Sequence, residues 1–95
     1  GIMDIEIKSR SLKILGHKYD LIINHSPVLK RNTVATMCGN SLTIEVSSIF
    51  PVSRQEEGLI HEIVEAINYH LDIQLPHDKL SALSEGLYQV LKDNF

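Results

Sequence analysis

The residues with the clearest potential for chemistry lie at positions 61–65, where the sequence reads His61-Glu62-Ile63-Val64-Glu65. Residues four apart in an α-helix lie within about 40° of each other, so His61 and Glu65 can point toward one metal ion from adjacent turns. Glu62 lies beside this pair. In an H-E-x-x-H helix, two side chains bind a metal ion and the glutamate acts as general base. We therefore expect a metal site on this segment.

Glu65 stands where an H-E-x-x-H helix has its second histidine. Zinc accepts a carboxylate oxygen at about 2.0–2.2 Å, so Glu65 remains a candidate ligand. An anionic ligand reduces the effective charge of the metal, and should lower the pKa of a bound water less than imidazole would. The alternative is a solvated helix face, on which His61 and Glu65 form a weak pair worth about 0.2–0.5 kcal/mol. Asn68 and Asp72 continue the same stripe and fit either interpretation.

The first half of the chain predicts β-strands, between about residues 4 and 48. Apolar and polar residues alternate along residues 4–8, 12–23, 33–38 and 42–46, which is typical of half-buried strands. The dipeptide Gly39-Asn40 suits the positive φ values of a tight turn, so we expect a hairpin at residues 38–41. Cys38 is expected to be a small core residue near this hairpin.

The second half predicts two helices, over about residues 54–73 and 78–93. Ser53 and Glu56 have the spacing of a capping box at the first helix. Glu56 and Glu57 would lie in its first turn, and Asp78 in the first turn of the second helix, where the helix dipole favours acidic residues. The second helix has an apolar stripe of Leu80, Leu83, Leu87, Val90 and Leu91. His70 is expected to pack in a partly buried position, and His77 to shape the turn after Pro76.

These elements predict an α+β fold: one domain over residues 1–95, with a small antiparallel sheet in the N-terminal half packed against two C-terminal helices. The chain has 95 residues, 43% of them hydrophobic, and a net charge of -3. It lacks the basic clusters of nucleic-acid-binding proteins and the long apolar run of a membrane span. A single cysteine cannot form an internal disulfide, and no secretion leader is expected. We expect a cytoplasmic protein.

Three short strings carry a family resemblance: SLTIEV at 41–46, FPVSRQ at 50–55 and LIHE at 59–62. They follow one another as a strand, a cap and the start of a helix, and in this order residues 40–71 resemble the minimal zincin core of ImmA/IrrE-like and SprT-like metallopeptidases. The strings NYHL at 68–71 and EGLYQVL at 85–91 also look like small phage-type proteins with an HExxE helix. The resemblance covers roughly the C-terminal two-thirds of the chain.

The resemblance implies a zinc-dependent peptidase. Glu62 would activate a metal-bound water for attack on a peptide carbonyl, with zinc held by His61, Glu65 and an acidic third ligand from the following helix. Glu85 is the position that matches best. On the helical wheel, however, Glu85 lies nearly opposite the apolar stripe, so it would reach the site only if that helix were rotated or covered on both sides.

Substrate contacts are expected on the strand that precedes the helix and at one tyrosine. Under the family scheme, the strand at residues 41–47 would pair with an extended peptide through its backbone, which makes Thr43 and Glu45 candidate substrate-binding residues. Tyr69 lies near Glu62 on the wheel and could donate to an oxyanion. A tyrosine at the edge of the core is the alternative.

Two functions compete at this point. One is a zinc metallopeptidase with Glu62 as general base. The other is a catalytically inactive zincin-fold module, of phage type, that binds a protein or peptide at a sheet edge or on a helix surface. A structural protein of a phage-like particle, with no metal, is a third interpretation.

Overall fold

The α+β fold class predicted from the sequence is confirmed. A computed structural model describes residues 11–25 and 33–95. In this part of the chain, four strands precede two helices: β1 (Ser11–Ile14), β2 (His17–Asn24), β3 (Ala35–Cys38), β4 (Thr43–Ser47), α1 (Val52–Leu71) and α2 (His77–Asn94). The strand expected at residues 4–8 lies outside the described residues.

The sheet is mixed, so the expectation of a purely antiparallel sheet is wrong. Its strand order is β1-β2-β4-β3. β1 and β3 each pair antiparallel with their neighbours, whereas β2 and β4 are parallel, with Leu21 opposite Ile44. The chain reverses direction twice after β2, and β4 rather than β3 then lies next to β2. Alternation of apolar residues predicts strands but does not specify which strands pair.

The predicted hairpin joins β3 to β4, but its turn differs in detail. Cys38 pairs with Thr43, which leaves a four-residue loop in which Leu42, not Gly39 or Asn40, has a positive φ of 55°. Gly39 is required for another reason: a Cβ at this position would collide with the ring of Tyr69. Cys38 is exposed rather than in the core, because it ends an outer strand on the face that alternates away from the helices.

The main core lies between α1 and one face of the sheet. Tyr19, Leu21, Ile44 and Val46 point from the two inner strands toward α1 and are at most 2% exposed. Leu59 and Ala66 from α1 belong to the same cluster. Since α1 buries an apolar face against this cluster, its orientation on the sheet is fixed by hydrophobic packing.

Both helices begin and end within two residues of the predicted positions. The predicted capping box is wrong, because α1 begins at Val52 with Pro51 as its N-cap and no side-chain capping bond. With this start, Glu56 and Glu57 lie beyond the first turn, so the helix-dipole explanation for them is also wrong. Glu56 instead accepts a hydrogen bond of 3.1 Å from the hydroxyl of Tyr88 in α2.

The buried face of α2 differs from the predicted leucine stripe. Leu80, Ser84 and Tyr88 are buried, and Leu80 and Tyr88 form a second cluster with Ile60 and Val64 of α1. Three members of the predicted stripe are exposed by 39–56%: Leu83, Leu87 and Val90. The hydroxyl of Ser84 is satisfied by the Leu80 carbonyl at 2.8 Å, which lets a polar residue occupy the buried face.

Asp78 lies in the first turn of α2, as predicted. Within residues 11–25 and 33–95, neither helix combines the length and hydrophobicity of a membrane span.

Candidate metal centre

His61 and Glu65 face the same side of α1, one turn apart, as their spacing predicts. The distance from His61 Nε2 to Glu65 Oε2 is 3.6 Å, and both side chains are partly buried. Metal ligands in a tetrahedral site, at about 2.1 Å from zinc, are separated by about 3.4 Å. The pair therefore already has the separation of two ligands of one ion.

His77 brings a second imidazole to this pair. α1 ends at Leu71, and its C-cap residue Asp72 has a φ of 49°; the connection then runs through Gln74, with a φ of 61°, to the first residue of α2. This path returns the chain along α1, so that the rings of His61 and His77 lie 5.5 Å apart at 64°. The turn residue expected from the sequence is thus also a candidate ligand.

The candidate ligand atoms of His61, Glu65 and His77 all lie within 4.8 Å of one another. In the described part of the chain, no other group of three histidine, cysteine or acidic side chains converges in this way. His77 is the exposed member of the group, whereas His61 and Glu65 are partly buried. Two imidazoles and one carboxylate are a ligand set that suits a divalent transition metal. The group can hold a metal ion.

Glu62 is the buried acidic group of the centre. Its side chain is 12% exposed and its Oε2 lies 4.0 Å from His61 Nε2. Burial, together with the nearby charge of Glu65, raises the pKa of Glu62 from 4.5 to about 7. A carboxyl group of this kind exchanges its proton near neutral pH, which is the property of a general acid or base.

A cleft of about 400 Å³ opens beside these residues. Both helices and the chain at the start of β3 contribute to its wall, which comprises Thr33, Val34, Ala35, Arg54, Glu57, Gly58, His61, Glu62, His77, Ser81, Ser84 and Glu85. At Gly58, an added Cβ would lie 2.7 Å from Val34 Cγ1, so α1 approaches the β3 segment as closely as glycine permits. The volume suits a small ligand or one or two residues of a peptide.

Glu85 lies on the wall of this cleft and is exposed. It does not belong to the convergent group, in which His77 occupies the third position. The helical wheel placed Glu85 away from the site because the leucines were assumed to form the buried face of α2. The buried face is instead formed by Leu80, Ser84 and Tyr88, and this orientation of the helix brings Glu85 to the cleft. Its role as a ligand stays a prediction.

The prediction that a substrate pairs with the backbone of the strand at residues 41–47 is wrong. β4 lies between β2 and β3, so both of its edges are already paired in the sheet. Thr43 and Glu45 alternate with the buried Ile44 and Val46, and therefore lie on the face opposite α1. Neither residue lines the cleft.

Tyr69 is also outside the centre. Its hydroxyl donates a 2.9 Å hydrogen bond to Asn40 Oδ1 in the β3–β4 loop, and its ring packs over Gly39. Tyr69 does not line the cleft that contains Glu62. Seven residues along α1 separate Tyr69 from Glu62, which is about 10 Å of helix, and a role for Tyr69 as oxyanion donor stays a prediction. Its observed role is to hold the hairpin against α1.

His70 packs in a partly buried position, as predicted. Its Nε2 lies 2.6 Å from the hydroxyl of Tyr19, and its ring stacks on His17 at 4.2 Å.

No protein-family model, curated protein or solved structure matches this chain. The interpretation of the centre therefore depends on its own geometry.

Proposed function

We propose that this protein is a zinc-dependent hydrolase that cleaves peptide bonds, with zinc held by His61, Glu65 and His77 and with Glu62 as general base. The convergence of three ligand atoms within 4.8 Å, directly beside a buried glutamate, is the observation that carries the proposal. A solvated helix face would require neither the return of His77 to His61 nor the burial of Glu62.

The donor set fits a catalytic rather than a structural zinc site. Structural sites have four protein ligands, whereas catalytic sites have three, commonly two histidines and one glutamate, and keep the fourth position for water or substrate. His61, His77 and Glu65 supply this set. His77 also provides a second imidazole, which an H-E-x-x-H helix would have at the position of Glu65. When bound, zinc supplies Lewis acidity toward a water and a carbonyl oxygen.

Glu62 is suited to accept and return a proton. A base works best when its pKa lies near the working pH, and burial brings the pKa of Glu62 to about 7. In the proposed reaction, Glu62 accepts the proton from the attacking water and passes it to the leaving amine.

The position of the cleft, beside an outer strand of the sheet, supports the binding of a peptide. β3 is an outer strand of the described sheet, and residues 33–35 at its start line the cleft. An extended peptide could therefore lie beside this segment with its scissile bond near Glu62.

A second candidate function is an inactive zincin-fold module that binds a protein partner. The exposed Leu83, Leu87 and Val90 on α2 favour it, because they form an apolar strip on the solvent side of the helix. In this case the zinc-loaded protein would not cleave peptides, and Leu83→Glu would reduce binding to a displayed peptide library while leaving the zinc content unchanged.

Metal analysis tests the first proposal directly. The wild-type chain, purified without chelators and incubated with zinc, should contain about one equivalent, and His61→Ala, Glu65→Ala and His77→Ala each less than about a tenth. His25→Ala is the matched control, since His25 bonds to Ser48 at 2.7 Å and lies outside the centre. A wild-type chain without zinc would contradict the proposal.

Activity then separates the two functions. Glu62→Gln should retain zinc and lose about 10²–10⁴-fold in the rate of peptide hydrolysis, because the amide cannot accept the proton. Turnover of a mixed peptide pool by the wild type, equal to that of Glu62→Gln, would exclude Glu62 as the base.

A further inference from the structure

Asn68 binds the connection between the two helices at three backbone groups. Its Oδ1 accepts a 3.0 Å hydrogen bond from Leu75 N, and its Nδ2 lies 3.4 Å from Leu75 O, which it can donate to. Its own backbone carbonyl accepts a bond of 3.2 Å from Ile73 N. One residue of α1 thus determines where the returning chain lies against the helix.

The connection does not follow this path by backbone preference alone. Asp72 and Gln74 both have left-handed φ values, 49° and 61°, which residues with a side chain adopt at a cost of about 1 kcal/mol or more each. Leu75, between them and α2, packs against the second hydrophobic cluster. The side chain of Asn68 and the packing of Leu75 are therefore the contacts that offset this cost.

The spacing relates Asn68 to the candidate centre. Asn68 follows His61 by seven residues, so it lies on the same face about two turns, or roughly 10 Å, along α1. His77 follows Leu75 by two residues, which span roughly 7 Å when extended. With Leu75 fixed beside Asn68, the side chain of His77 reaches the level of His61, where the two rings meet.

We propose that Asn68 is a positioning residue for metal binding: through Leu75 it holds His77 where that histidine completes the ligand set with His61 and Glu65. This inference rests on the proposed function, because it requires a metal at the centre. Residues that hydrogen-bond to a metal ligand typically change metal affinity by about 10–100-fold when they are removed, and we expect a loss in this range for Asn68, which acts on His77 through Leu75.

A double-mutant cycle on zinc affinity tests the inference. Zinc dissociation constants are measured by competition with a chromogenic chelator for the wild type, Asn68→Ala, His77→Ala and the double variant. Asn68→Ala should weaken zinc binding about 10–100-fold in the wild-type background. In the His77→Ala background the same substitution should change it by less than about twofold, because the residue that Asn68 positions is already gone.

Two further variants and a spectrum make the test specific. Asn68→Gln keeps an amide but moves it by one methylene, and should also weaken zinc binding if the position of the amide matters. Asn94→Ala removes a comparable side-chain bond to the backbone, to Val90 O at 2.9 Å, at the far end of α2, and should leave the zinc affinity unchanged. With saturating Co²⁺, the absorption spectrum of Asn68→Ala should shift from that of the wild type toward that of His77→Ala, because His77 is less often in place to bind the ion.

The outcomes separate this inference from the proposed function. A wild-type chain that binds no zinc overturns both. Zinc binding that depends on His77 but not on Asn68 overturns only the positioning role, as does an equal loss on Asn68→Ala in both backgrounds, which would indicate general destabilisation.

Discussion

Glu62 Oε2 lies 4.0 Å from His61 Nε2, and these two neighbouring residues of α1 have different surroundings. His61 is partly exposed at the cleft, whereas Glu62 points inward and its side chain is only 12% exposed. A buried carboxylate is costly unless a cation or several hydrogen bonds compensate it. Glu62 therefore holds its proton up to about neutral pH, where its pKa is raised to about 7.

The raised pKa of Glu62 predicts a stability that falls as the pH rises. Below about pH 4.5, the carboxyl group is protonated in the folded and the unfolded chain, and its burial costs no ionisation energy. Between pH 4.5 and 7 only the unfolded chain releases the proton, so the free energy of unfolding decreases by about 3 kcal/mol in total. In metal-free protein, Glu62→Gln should remove this decrease and be the more stable form above pH 7.

Urea unfolding of both proteins with a chelator, from pH 4 to pH 8, measures this difference. The gap between Glu62→Gln and the wild type should widen with pH and level off above 7. Glu85→Gln, at an exposed glutamate of the same cleft, is the control and should track the wild type. A gap that is constant across the range would show that Glu62 ionises normally in the folded chain.

Substitutions of His77 and Glu85 should affect zinc affinity differently, because only His77 belongs to the convergent group. His77→Ala should reduce zinc affinity by more than about 100-fold, because it removes a direct ligand of the convergent group. Glu85→Ala should change it by no more than a few-fold, through the loss of a nearby negative charge. Chelator competition measures both constants, and the reverse order would make Glu85 the ligand that the sequence pattern suggested.

The part of the centre that lies within one helix was predictable from sequence. The spacing of His61 and Glu65 requires only that α1 forms, and the apolar periodicity of residues 59–71 is sufficient for that. His77 was not predictable as a ligand, because its position depends on the left-handed residues Asp72 and Gln74, which no periodicity encodes. An asparagine on the ligand stripe followed by a short loop and a histidine was the available signal.

The packing of α2 and the order of the strands were harder to predict from the sequence, because both depend on tertiary contacts. A helical wheel weights leucine above serine and tyrosine, yet α2 buries Ser84 and Tyr88 and exposes Leu83 and Leu87. Both buried polar groups have hydrogen-bond partners, which are known only once the tertiary contacts exist. Strand pairing is likewise a long-range property, which local alternation does not determine.

Substitutions of Gly39 and Tyr69 should have coupled effects on the free energy of unfolding. Gly39→Ala should lower the free energy of unfolding by about 1–3 kcal/mol, because the new methyl group overlaps the tyrosine ring. In a Tyr69→Ala background the same substitution should cost much less, since the space is then open. The four proteins of this cycle can be compared by urea unfolding at one pH.

Gly86 provides the control for the Gly39 prediction. It lies in α2 with nothing within 4 Å of an added Cβ, so Gly86→Ala should stabilise the protein by about 0.5–1 kcal/mol through helix propensity. Equal costs of Gly39→Ala with and without Tyr69 would mean that the ring does not determine the choice of glycine in the hairpin.

Tyr19 and His70 form the hydrogen bond that ties the sheet to the C-terminal turn of α1. The side chain of Tyr19 is fully buried, and its hydroxyl lies 2.6 Å from His70 Nε2. Tyr19→Phe keeps the ring but removes the hydroxyl, so it should lower the free energy of unfolding by about 0.5–1.5 kcal/mol without creating a cavity. Tyr69→Phe removes a hydroxyl from a half-exposed side chain, where water can replace Tyr69 as the partner of Asn40, and should cost less. Urea unfolding of the two variants tests this ordering; a cost for Tyr69→Phe equal to or above that for Tyr19→Phe would contradict a stabilising bond between Tyr19 and His70.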